Sequence, residues 1–159
     1  MRHIAVATPV KNKYSETFIQ AHIERLPAKV TVLYGGTPPI LWGDDIPIEP
    51  AFTINRHLHW SIERRVRSIT WNEWRRRSLV NVLKRNAIEV VLAEYGFMGV
   101  AMLDGCRQAG IPLVVYFLGY DAYSREILQN VGQYYPMLFS SCLLYTSDAA
   151  DEEDSVDLC

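Results

Sequence analysis

Four short runs of almost unbroken apolar residues constrain this chain more than any other feature. They are His3-Ile4-Ala5-Val6-Ala7, Val30-Thr31-Val32-Leu33-Tyr34, Ile88-Glu89-Val90-Val91-Leu92-Ala93 and Leu113-Val114-Val115-Tyr116-Phe117. A strand with one wet face alternates polar and apolar residues; a strand without that alternation is covered on both faces, as in a parallel sheet. Each run ends at a turn signal: Thr8-Pro9, Gly35-Gly36, Gly96 and Gly119.

Helical patterns fill the intervals. Ile19, Ile23 and Leu26 recur at i, i+4 and i+7 until Pro27 stops them. A helix is expected over about 55–68, with Ile62, Val66 and Ile69 as its apolar stripe. Another is expected over about 70–86, opened by Thr70 with Glu73 three residues on, in the capping-box pattern, and burying Leu79, Val82 and Leu83. Gly96 starts a helix that Gly110 stops. Residues 121–139 read as one more helix, and 35–50, with four prolines and three glycines, as loop. Strand–helix alternation of this kind predicts an α/β, Rossmann-like, doubly wound parallel sheet with right-handed crossovers. In that architecture ligands collect outside the carboxyl ends of the strands. The four loops there are Thr8–Thr17, Tyr34–Thr37, Glu94–Met98 and Leu118–Tyr123.

Charge divides the 159 residues in two. The net charge is −2, yet all 16 Lys and Arg lie within residues 1–139, and residues 140–159 hold six acids and no base. A mildly basic body with an acidic tail is the organisation this implies. The amino terminus lacks a signal-peptide core and no run approaches the roughly 20 apolar residues of a membrane span, so a cytoplasmic protein is expected. Three scattered cysteines form no CxxC pair. His3, His22, His57 and His59 match no metal pattern, and neither GxGxxG nor GxxxxGK[ST] occurs. Nothing here calls for a metal or a cofactor.

The blocks Ser15-Glu16-Thr17-Phe18-Ile19, Ala93-Glu94-Tyr95-Gly96 and Gly110 to Ala122 stand in order, each at a strand's carboxyl end. Together they resemble the amino-terminal half of retaining glycosyltransferases of family 4, which have the GT-B fold and build bacterial polysaccharides. The resemblance covers about residues 3–141. It implies transfer of a sugar, with retention, from a nucleotide-diphosphate donor to a saccharide or lipid-linked acceptor. The amino-terminal domain of that family mainly holds the acceptor, and a carboxyl-terminal domain holds the nucleotide. On this likeness Ser15, Glu16 and Thr17 face the donor phosphates at a helix start, where free N–H groups attract anions. Ser15 also reads simply as a cap. Glu94, Tyr95 and Gly96 grip a sugar, or Gly96 merely turns the chain into its helix. Gly119 admits close backbone approach. Asp121 meets an acceptor hydroxyl or, alternatively, caps a helix beginning near Ala122. The family's usual His-Gly is Leu118-Gly119 here. Leucine handles no proton, so that histidine's role does not carry over. Tyr116 also stands where a histidine is frequent in the family.

Residues 55–86 hold nine Arg and Lys against Glu63 and Glu73. On one continuous helix Trp60, Arg64, Arg67, Trp71 and Trp74 would share a face. Indole with cation suits an anionic membrane surface, each basic residue being worth about 1 kcal/mol there. The alternative is a solvated cationic face with the tryptophans packed on the sheet; no motif supports nucleic-acid binding. From Cys142 the likeness stops. Cys142 to Glu152 looks like translated sequencing-adapter read-through, so 1–141 is expected to be the domain and 142–159 an artefactual or disordered tail. With no donor-binding half, this chain is expected to be inactive alone. The rival functions are a non-catalytic Rossmann-like ligand-binding module and a basic peripheral-membrane domain.

Overall fold

The computed structural model describes residues 1–11, 17–48, 71–141 and 144–147. The expected helix over 55–68, with Trp60, Arg64 and Arg67, lies outside them, as do Ser15, Glu16, Thr70 and the side chain of Trp71.

The chain forms a sheet ordered β4-β3-β2-β1-β5-β6-β7. Its strands are β1 (His3–Ala7), β2 (Lys29–Tyr34), β3 (Leu41–Trp42), β4 (Ile46–Pro47), β5 (Val90–Glu94), β6 (Leu113–Phe117) and β7 (Leu144–Ser147). β2, β1, β5, β6 and β7 run parallel, and β3 pairs antiparallel with both β2 and β4. This is the α/β, mostly parallel, Rossmann-like arrangement. The hairpin β3–β4 falls in the stretch read as loop. Two-residue strands leave no periodicity to detect, and the turn between them uses Gly43 at φ 56 and Asp45 at φ 61. β7 falls within the segment read as tail and pairs with β6, Val114 opposite Leu144.

Helix α1 (Thr17–Arg25) lies on one face, with α2 (Trp71–Arg85) and α3 (Gly96–Ala109) on the other. The second face carries the core: Ala5, Ala7, Leu33, Val91, Ala93, Leu113 and Val115 from the strands meet Leu79, Leu83, Met98, Met102, Leu103 and Cys106 from the helices. Glycines let α3 sit close. A Cβ on Gly99 would lie 2.7 Å from Val115 Cγ2, and one on Gly96 would lie 2.5 Å from the Phe117 ring.

α3 ends as its sequence signals. Gly110, at φ 72, donates to Arg107 O, and Ile111 donates to Cys106 O, the paired bonds of a Schellman stop. Among the described residues an added Cβ on Gly110 meets nothing within 4 Å, so the penalty for a side chain comes from the left-handed backbone. Gly110→Ala should therefore cost about 1 kcal/mol in urea unfolding, the typical left-handed penalty for an L-residue.

The single helix expected over 121–139 is broken into α4 (Gly119–Tyr123), α5 (Arg125–Asn130), a 3₁₀ turn (Gly132–Tyr134) and α6 (Tyr135–Phe139). Ser124, extended at ψ 112, closes α4 and accepts from Ile127 N to open α5, and Pro136 sits in the first turn of α6. These breaks leave apolar side chains outside: Tyr120, Tyr123, Leu128, Tyr134, Met137 and Phe139 are all exposed. Among the described residues no helix is long and apolar enough to cross a membrane.

Candidate functional site

Because β2, β1, β5 and β6 are parallel, their carboxyl ends share one edge. Thr8 donates its N–H to Leu33 O and Gly35 to Pro9 O, which joins the ends of β1 and β2, and Tyr95 donates to Tyr116 O, which joins the end of β5 to β6. The chain winds one way from β1 to β2 and the other way through β5, β6 and β7, so the switch point lies between β1 and β5. The last residue of β5, Glu94, stands beside that switch.

Glu94 is fully buried, and its Oε1 lies 2.7 Å from Nδ1 of His22, which is 30 % exposed. The pairing follows from register. Ala93 points to the α3 face, so its neighbour Glu94 points to the opposite face, where α1 carries His22 one turn beyond buried Ile19. Rings fix the imidazole. Tyr116 meets it edge to face at 5.1 Å, and Phe18 does so at 6.4 Å. Phe18 in turn lies 5.7 Å from the Tyr116 ring and 6.1 Å from the Tyr95 ring. Tyr95 stacks on Phe97 at 5.3 Å. Its own backbone sits at φ 80, a conformation that costs a bulky residue of order 1–3 kcal/mol and tends to mark functional sites.

Asp121 is fully buried, the third residue of α4 rather than a cap near Ala122. Its Oδ2 accepts from Leu118 N at 3.1 Å and its Oδ1 from the Tyr135 hydroxyl at 3.5 Å. The backbone N–H groups of Gly96 and Phe97, at the start of α3, favour its charged form, as does that of Leu118. Burial nevertheless outweighs those donors and raises the carboxyl above its ordinary 3.8. Burial, followed by the charge of Asp121, raises the Tyr135 phenol in the same way. In this conformation Asp121 ties the loop after β6 to the start of α3.

The other expected residues divide as follows. Thr17 is exposed at the start of α1, and Gly96 is buried beneath Phe117 and Tyr135. Gly119 opens α4, and among the described residues only the Tyr123 ring, at 3.7 Å, is in reach of an added Cβ. Trp74 is 3 % exposed, so its indole packs inside and is not presented to a membrane in this conformation. The charges beside it are partly matched: Glu73 lies 3.0 Å from Arg77 and 3.9 Å from Arg76. A cleft of about 500 Å³ between the loop after β2 and helices α2 and α3 includes Glu73, Arg75, Arg76 and Asp104 in its lining. It lies on the face opposite His22. Among the described residues no group of three His, Cys, Asp or Glu side chains could hold a metal ion.

The sequence reading gave His22 no role. Its position one turn after Ile19 was the available signal, because residues three apart share a helix face. No protein-family model and no curated protein matches the chain.

Proposed function

We propose that this chain is the acceptor-side lobe of a retaining, nucleotide-sugar-dependent glycosyltransferase. The observation that carries the reading is geometric. Phe18, Glu94, Tyr95 and Tyr116, described members of three separate sequence blocks, come together at one edge of a doubly wound sheet, with a buried carboxylate, an oriented imidazole and several aromatic rings beside its switch point. Saccharides suit such surroundings, since polar side chains bond their hydroxyls and ring faces cover their C–H surfaces. The nucleotide contacts are proposed to come from a second Rossmann-like domain. The fixed donors and cations that would stabilise the departing diphosphate belong there.

Two measurements test this. The uninterrupted reading frame beyond codon 141 should encode that second domain, and its product should transfer sugar with retention. The purified 159-residue chain, given nucleotide sugars and saccharide acceptors, should show no transfer. A frame without the second domain, or transfer by the short chain, overturns the proposal. Gly119→Ala adds a finer arm. The fold has room for the methyl group, so stability should hold while acceptor KM rises if a ligand approaches this backbone.

A further inference from the structure

A buried glutamate at a strand's carboxyl end requires a partner, and here one partner is a histidine whose side chain is 30 % exposed. Glu94 Oε1 and His22 Nδ1 are 2.7 Å apart. When the carboxylate accepts the Nδ1 hydrogen, the neutral ring carries its lone pair on Nε2. That tautomer is set from the buried side. The ring plane is set as well, by the edge-to-face contacts with Tyr116 and Phe18. No bond to Nε2 is recorded among the described residues, whereas His3, the buried histidine of β1, has its Nε2 engaged by Thr31 Oγ1 at 2.8 Å. The two histidines thus contrast: one is satisfied within the sheet, and the other is oriented with one nitrogen available.

We infer that His22, aligned by Glu94, is a hydroxyl-binding residue whose Nε2 accepts a hydrogen bond from a polyol ligand at the carboxyl edge of the sheet. The choice of a saccharide as that polyol rests on the acceptor-side reading above. A fixed acceptor of this kind loses little freedom when it binds, which is how preorganised sites gain affinity. It also supplies a nitrogen near the end of β6 in a chain whose loop there carries Leu118. No proton transfer is needed: the hydroxyl keeps its hydrogen and donates it to Nε2.

The test uses the 159-residue chain and methyl α-D-glucopyranoside as the probe. Long-range ¹H–¹⁵N spectra at slightly alkaline pH should show His22 protonated on Nδ1 and bare on Nε2. Adding the glucoside should shift the His22 Nε2 resonance and leave those of His3 in place. His22→Phe keeps an aromatic ring but removes the acceptor, and should weaken glucoside binding about fivefold, the worth of one ordinary hydrogen bond. Glu94→Gln is the second variant should His22→Phe fail to fold, and it should alter the His22 tautomer or ring mobility and weaken binding with it. A proton on Nε2 in the parent chain, a His22 resonance indifferent to the glucoside, or full affinity in a folded variant overturns the inference. Its failure is separable from failure of the transferase reading. Glucoside binding through His22 in a protein that never transfers sugar defeats only the latter. Transfer by the longer product that survives His22→Phe unchanged defeats only the former.

Discussion

Replacing Asp121 by alanine should lower the unfolding free energy by about 2–4 kcal/mol, because two donors lose their acceptor at once, each costing roughly 1–3 kcal/mol unless the site relaxes. The donors are the N–H group of Leu118 and the Tyr135 hydroxyl. Urea unfolding monitored by circular dichroism measures the loss. The pH dependence carries a sign that tests the burial itself. Burial raises the folded-state pKa above the ordinary 3.8, so below that value both states hold the proton and the stabilising contribution is fully present. As pH climbs through the raised pKa, the folded state must ionise a buried group and that contribution is lost. Asp121→Asn, neutral at every pH, should lack this decline. A stability gap between the parent chain and Asp121→Asn that widened in favour of the parent with rising pH would show that the donors, not burial, dominate.

The second large effect belongs to the contact between α3 and the sheet. Gly99→Val should cost about 3 kcal/mol and can prevent folding. Its Cβ would come within 2.7 Å of Val115 Cγ2 and within 3.2 Å of Leu138 Cδ2, and a β-branched Val115 in a strand cannot swing aside. Gly105→Ala is the informative contrast. There the nearest atom, at 2.9 Å, is the flexible tip of Leu79, and alanine gains about 1 kcal/mol of helix propensity over glycine. The two terms nearly cancel, so a small change is expected. Equal losses at the two positions in thermal or urea unfolding would mean that α3 rides on the sheet less closely than these distances state.

What the sequence disclosed depended on how local the cause was. β1, β2, β5 and β6 were legible because burial on both faces leaves apolar runs that need no knowledge of partners. The stop at Gly110 was legible because a left-handed residue is a one-position requirement. The hairpin of Leu41–Trp42 with Ile46–Pro47 was not, since its pairing is decided by contact with β2 rather than by its own pattern. Over 121–139 the apolar spacing was genuine, but Ser124 and Pro136 supplied competing starts, and local capping broke the long helix into short pieces. For Trp74 the tryptophan–arginine spacing left a docking face and packing on the sheet both open. It lies two turns before Val82 and joins the buried side.

The site was half legible for the same reason. Glu94 and Tyr95 stood out at a strand end, whereas the pairing of Glu94 with His22 spans 72 positions and follows only from which face each strand residue takes. Asp121 was visible as a short polar residue at a helix start. That it would reach back to Leu118 and across to α3 depended on where β6 delivers the chain.

β1 lies at the centre of the sheet, bonded on one side to β2 and on the other to β5, and His3 N is held by Glu89 Oε1 across 86 positions. During synthesis the first strand therefore leaves the ribosome long before its second neighbour exists. Until β5 has emerged, the side of β1 that will pair with it stays uncovered, and contacts of such long range form slowly. The binding edge is consequently a late product of translation, and its exposed precursor is where a nascent-chain chaperone would find most to hold.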